Sequence, residues 1–283
     1  MMVTRYDDAR LLLVLQIDHS RIAGLFAAHW GNAQFAEPQP YVAMTVAAQE
    51  HDSGWWDWET RPTLNAEGYP PDYIGSIKQL GPGVWLGFMD HGVERALDQD
   101  PYAGLIALMH AEGLCTQGKG LLPYMPDYTP DPMVRDFLAK QEALRLRLVD
   151  ELRQSDQYRA YATDDAIWTN FKLIEVFDQL AQFVCNRYPF NSQARRNGPT
   201  NRLSDTPVPT RPGQPDVTLT VDVRDETRAV VQPYPFDVDP LVVSFPARLV
   251  PSGPYASEDD FLRHFYKAER LTVTYTLHAA LPS

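Results

Sequence analysis

Two cysteines in 283 residues are too few to staple a fold, which excludes a disulfide-framed secreted scaffold. Cys115 and Cys185 stand in no metal-binding or redox motif and read as small buried hydrophobes of a reduced, cytoplasmic protein. Long apolar runs are missing as well. The longest, residues 11–15, falls far short of the roughly 20 residues that span a bilayer, so no membrane partner is expected. No basic stretch followed by an apolar segment and a small-residue cleavage site opens the chain, so no signal peptide is expected either. Basic charge is scarce: 25 Lys and Arg stand against 37 Asp and Glu, a net charge of −12. A nucleic-acid backbone needs a basic footprint and is not the expected partner. A small phosphorylated molecule stays compatible, because a bound cation reverses the local field. The remainder is ordinary for a globular chain, 44% hydrophobic and 22% charged, enough for one large domain or a domain with an appendage.

Periodicity divides the chain unequally. Residues 2–6 and 11–16 are β-favouring segments around the turn signal Asp7-Asp8. Asp18 then reads as an N-cap, with Ile22, Leu25, Phe26 and His29 at helical spacing. A helix from Pro40 delivers His51-Asp52 at its C-terminal end. Residues 55–81 read as a long loop with room for one short helix. Further helices start at Pro82, at Asp100-Pro101 and at Asp131-Pro132, the last running to about residue 154. Another covers residues 163–185, where Ile167, Phe171, Ile174, Phe177, Leu180 and Val184 recur every three or four positions. Residues 186–216 are poor in apolar side chains and rich in Pro, Arg, Asn and Thr, the composition of a linker. Period-two segments at 217–223, 228–234, 241–250 and 271–278 read as strands, with a short helix at 257–268 between the last two.

The expected fold is therefore mainly α: a helical domain over residues 1–185, a linker over 186–216, and a β-rich appendage over 217–283. The appendage forms a small antiparallel sheet packed on the helices, with or without the N-terminal hairpin.

The chemistry-bearing residues fall in a suggestive order: His19, then His51-Asp52, then His91, His110 and Asp178. Imidazoles and carboxylates gathered from neighbouring helices are what a divalent-metal site requires, and an ion there activates water at neutral pH for attack on a phosphate ester. Each residue also has a plainer reading. His91 can face solvent after Asp90, and His110 can sit at a helix C-terminus, favourable to the dipole. Asp178 lies on the polar face of its helix or is a buried ligand; periodicity does not choose. Trp55, Trp56 and Trp58 follow the doublet, either as a wall that stacks a flat substrate group or as anchors of the loop.

This order resembles that of the HD-domain metal-dependent phosphohydrolases over roughly residues 15–185. The whole chain also resembles a bacterial family of unassigned activity that shares His51-Asp52-Ser53-Gly54-Trp55 and Pro233-Tyr234-Pro235-Phe236. The first resemblance implies an HD-like helical bundle with His19, His51, Asp52 and Asp178 on one metal, and His91 and His110 completing a second. It further implies Asp52 and His51 as the catalytic pair. One or two divalent ions are expected, with Mn, Fe, Mg, Co and Zn all compatible with such ligands. The sequence departs from the HD pattern in having no lysine near the doublet to grip phosphate. Arg21 and Arg95 are the available substitutes, and Trp55 and Trp56 the remaining substrate contacts. The expected function is hydrolysis of a phosphate mono- or diester, with nucleotides among the candidates. Hydrolysis of another bond on the same platform, or a non-catalytic ligand-binding or scaffold protein with a vestigial site, are the competing readings, and homo-oligomerisation is left open.

Overall fold

The first two strands, β1 (Met2–Arg5) and β2 (Arg10–Val14), form a hairpin that leads into α1 (Gln16–His29). The helical layer continues with α2 (Tyr41–Glu50), α3 (Trp56–Glu59), α4 (Tyr73–Leu80), α5 (Pro82–Gln99), α6 (Pro101–Cys115), α7 (Pro132–Gln154) and α8 (Asp164–Cys185). Then follow β3 (Arg202–Val208), β4 (Val217–Val223), β5 (Arg228–Gln232), β6 (Leu241–Pro251), α9 (Glu258–Lys267) and β7 (Glu269–His278). This computed structural model describes residues 1–123, 126–186 and 202–281.

The helices start where the sequence places stop-and-start chemistry. Asp100 accepts from the backbone N–H groups of Tyr102 and Ala103, and Pro101 occupies the first turn of α6, where its missing N–H costs nothing. Asp131 and Thr163 cap α7 and α8 in the same way. Helix α1 departs from expectation. It begins at Gln16, before Asp18, and no local side chain caps it. The carboxylate of Glu59, 43 residues away, accepts from the Gln16 N–H at 2.7 Å instead.

The strands join one sheet in the order β1-β2-β6-β7-β5-β4-β3. All neighbours are antiparallel except β5 and β7, which run parallel. The expectation of a mainly α bundle with a small antiparallel sheet is thereby corrected: this is an α/β fold, half helical, with a curled seven-stranded mixed sheet. Two things enlarged the sheet. The hairpin docks on β6 through β2, and part of the expected linker is strand β3, paired with β4. Pro207 hid that strand, but β3 lies at the edge of the sheet, where a residue without an N–H is tolerated. Residues 187–201 of the expected linker lie outside the described residues.

Strand β6 shows how sheet and helices share one core. Leu241, Val243, Phe245, Ala247 and Leu249 are buried while Val242, Ser244 and Pro246 between them are exposed, the alternation of a sheet covered on one face. Helix α1 packs on β6 and also against α2 and α8. Helix α6, buried along nearly all of its length, contacts α2, α5, α7 and α8. Among the described residues no helix is long and apolar enough to cross a membrane. Both cysteines are buried free thiols, and burial raises both thiol pKa values, that of Cys115 to about 12.

Candidate metal centre

His19 sits one turn into α1, His51 closes α2, Asp52 follows it, and Asp178 lies in the middle of α8. The four bring one ligand atom each to within 4.8 Å of one another. His19 Nε2 is 2.8 Å from Asp178 Oδ1 and 3.7 Å from Asp52 Oδ2; His51 Nε2 is 3.5 and 3.6 Å from the same two oxygens. Donors held at about 2.0–2.2 Å by one ion lie about 3–4 Å apart, so these spacings suit a shared cation. Asp178 is only 5% exposed, which decides between the two readings of its helix position.

The hydrogen bonds test the fit further. His51 Nδ1 lies 2.8 Å from the Ala48 carbonyl oxygen and donates to it, which leaves Nε2 as the nitrogen that meets a proton or a metal ion. That Nε2 is buried and without a hydrogen-bond partner. An orphaned buried polar atom costs about 1–3 kcal/mol, and a nitrogen aimed between two carboxylates is suited to hold a metal ion. The carboxylates are themselves oriented: Gln16 Nε2 donates to Asp52 Oδ2 at 3.0 Å, and Gln182 Nε2 donates to both oxygens of Asp178 at 3.1 and 3.0 Å. Such supporting bonds fix ligand geometry. Changing Gln182 to Met is expected to weaken metal affinity by roughly 10- to 100-fold without unfolding the protein, measured by competition with a chromogenic chelator.

The electrostatics of the metal-free centre follow from the two acids. Burial alone would lower the His51 pKa, but the charge of Asp52 and the proximity of Asp178 outweigh it and raise the pKa to about 9. Asp178 is held well below the ordinary carboxylate value against its burial, by His19 and His51. A proton thus stands in for the cation. The stabilisation contributed by His51 is fully present below its ordinary value of 6.5 and is lost as pH rises through about 9. That of Asp178 is present above 3.8 and is lost as pH falls through its depressed value. In chelator, the urea midpoint is therefore expected to decline between pH 7 and 10, by on the order of 3 kcal/mol in unfolding free energy. With metal present the decline should shrink, because metal binding displaces that proton and tightens as pH rises.

The expected second-metal ligands do not join this group. His91 is half exposed on α5 and pairs with Asp57 at 2.6 Å. His110 is buried, but its Nδ1 lies 2.8 Å from Glu175 Oε1, and its ring meets that of His51 edge-on at 4.9 Å. Burial works against protonation of His110, and the charge and hydrogen bond of Glu175 outweigh it, raising its pKa. Arg95 does not line the pocket that opens on the centre. It donates to the Ser53 carbonyl and to Asp57 at 2.9 Å, clamping the turn after the doublet.

A pocket of about 300 Å³ opens on Asp52, Asp178 and His110. Trp55, Trp85 and Tyr128 form aromatic wall, Ile77 and Met89 aliphatic wall, and among the described residues no lysine or arginine lines it. Trp55 is buried against Phe88 and Trp58, so it anchors the loop and lines the pocket together. Trp56 and Arg21 line a separate cleft. Sequence reasoning missed Glu175, Gln182 and Tyr73, whose hydroxyl donates to Gln182 at 3.3 Å and whose pKa is pushed up by burial and by Asp178. Glu175 and Gln182 carried a signal: they sit three residues before and four after Asp178, on the same helix face.

Comparison with the curated proteins and with the solved structures finds no match. A family model described as "Protein of unknown function (DUF3891)" matches residues 1–252, and the chain belongs to that family.

Proposed function

We propose that this protein is a metal-dependent hydrolase of small phosphate esters, with the ion held by His19, His51, Asp52 and Asp178. The carrying observation is the convergence of these four side chains from α1, α8 and the end of α2 around an unpaired His51 Nε2. Their order along the chain is the feature held in common with HD-domain phosphohydrolases. When bound, a divalent cation supplies Lewis acidity that lowers the pKa of water and neutralises charge on the phosphoryl group. Two imidazoles among the ligands favour Mn, Fe, Co or Zn over Mg.

The remaining work falls to the chain. Asp52, at the pocket edge and steadied by Gln16, orients the attacking water and takes its proton. The water oxygen bonds to phosphorus as the ester P–O bond breaks, and His110, braced by Glu175, gives a proton to the departing oxygen. Trp55 and Trp85 stack the flat part of the substrate. Among the described residues no lysine or arginine lines the pocket, which favours a diester, with one negative charge, over a dianionic monoester.

Turnover of bis(4-nitrophenyl) phosphate and of 4-nitrophenyl phosphate by protein loaded with each metal tests this. Faster cleavage of the diester is expected. Absence of turnover for both at full metal occupancy would overturn the hydrolase reading and leave a ligand-binding protein.

A further inference from the structure

The cleft that holds Arg21 and Trp56 lies across α1 from the metal centre. Gln16 and His19 face the centre, whereas Ile17, Asp18 and Arg21 face a cleft of about 230 Å³ floored by β2, β6 and β7. Arg248 of β6 and Arg270 of β7 line it too, and the two are directly paired across antiparallel strands. Like charges in that position repel and destabilise a sheet. Among the described residues neither forms an ion pair. Arg248 donates to the Phe265 carbonyl at 3.2 Å and lies over the Phe265 ring, and burial together with the Arg270 charge lowers its pKa. Arg21 is answered by Asp18 at 2.9 Å. Three guanidiniums against one carboxylate leave the cleft two positive charges in excess, in a chain whose net charge is −12. Trp56, 46% exposed, borders the same cleft with its indole.

We infer that this cleft is a second ligand site, taking a small organic dianion with a flat ring: the anion bridges Arg248 and Arg270, and the ring packs on Trp56. Guanidinium forks match carboxylate and phosphate oxygens, and an anion removes the cross-strand repulsion. The inference does not depend on the hydrolase reading, because the two pockets share no lining residue.

Calorimetry on metal-free full-length protein in chelator tests it, with phenyl phosphate, phthalate, inorganic phosphate and benzyl alcohol as probes. One equivalent of phenyl phosphate or phthalate should bind, and the tighter of the two identifies the anion as phosphoryl or dicarboxylate. Inorganic phosphate should bind more weakly, and benzyl alcohol not at all. Arg248→Gln with Arg270→Gln should weaken binding by about tenfold or more, while the melting temperature without ligand holds or rises because the repulsion is gone. The surface change Arg270→Glu should abolish binding and leave metal uptake unaltered. Failure of both aryl dianions to bind, or equal affinity in the arginine variants, overturns the inference.

Discussion

Asp178→Asn is expected to yield a folded protein that carries less than about a tenth of an equivalent of metal and, on the proposed function, is slower in phosphodiester cleavage by roughly 10³-fold or more. Asp178 is the hub of the centre. It is the acid nearest to both imidazoles, at 2.8 Å from His19 and 3.5 Å from His51, and it lies in the middle of a buried helix between Phe177 and the Gln182 amide. Asparagine keeps the volume, so packing survives, but the ligand charge is gone and Asp52 alone is left to face two imidazoles. Removing one partner of a buried charged pair costs about 3–5 kcal/mol, which here falls on metal-free stability as well as on affinity. Metal analysis of the purified variant beside the wild type reads the result. Full metal content in Asp178→Asn would show that the four side chains form only an ion-pair cluster.

The second large effect concerns the backbone that delivers the doublet. A Cβ built on Gly54 would stand 1.8 Å from the Phe88 carbonyl oxygen of α5, and one on Gly92 would stand 3.0 Å from the His51 carbonyl oxygen. The chain after Asp52 therefore runs against α5 at a distance that only glycine allows. Gly54→Ala must push α5 and the turn apart, and backbone cannot yield as a flexible side chain does. We expect a loss of about 3 kcal/mol or more, seen as a fall in melting temperature of roughly 10 °C, together with weaker metal binding as His51 and Asp52 shift. The glycine of the His-Asp-x-Gly-Trp segment thus has a packing reason. Its Trp55 has a double one, anchoring on Phe88 while walling the pocket. A Gly54→Ala protein of wild-type stability would mean that α5 and the turn do not lie this close.

The sequence made the helices legible because their signals are local. Asp100-Pro101, Asp131-Pro132 and Thr163 cap the helices they precede, and the 3.6-residue rhythm around Phe177 marked the helix itself, while the face on which Asp178 lies became clear only from its burial. The order of His19, His51, Asp52 and Asp178, with the resemblance it carries, pointed to the four residues that the fold gathers into a group able to hold a metal ion. What failed was whatever depends on distant partners. Helix α1 starts at Gln16 because Glu59 reaches its N-terminus from another part of the chain, and no window around Asp18 contains that carboxylate. His91 and His110 were placed on a second metal by their position in the order, yet each found a nearer acid, Asp57 and Glu175. The sheet was underestimated because its extent is set by pairing between β2 and β6, 239 residues apart in register at Leu11 and Val250, and by an edge strand whose proline masks its period. Arg21 and Trp56 were assigned to the metal pocket from their closeness in sequence to His19 and Asp52. Two positions from His19 on α1, Arg21 points to another side of the helix, and the turn after Asp52 sends Trp56 to the same separate cleft while Trp55 lines the pocket.

A crystal of protein soaked in Mn²⁺ and measured at the manganese absorption edge tests the central claim most directly. One anomalous peak bonded to His51 Nε2, His19 Nε2, Asp52 and Asp178 is the expected result. A wild-type crystal with no peak among these four side chains, in protein that takes up no metal in solution, would contradict the account.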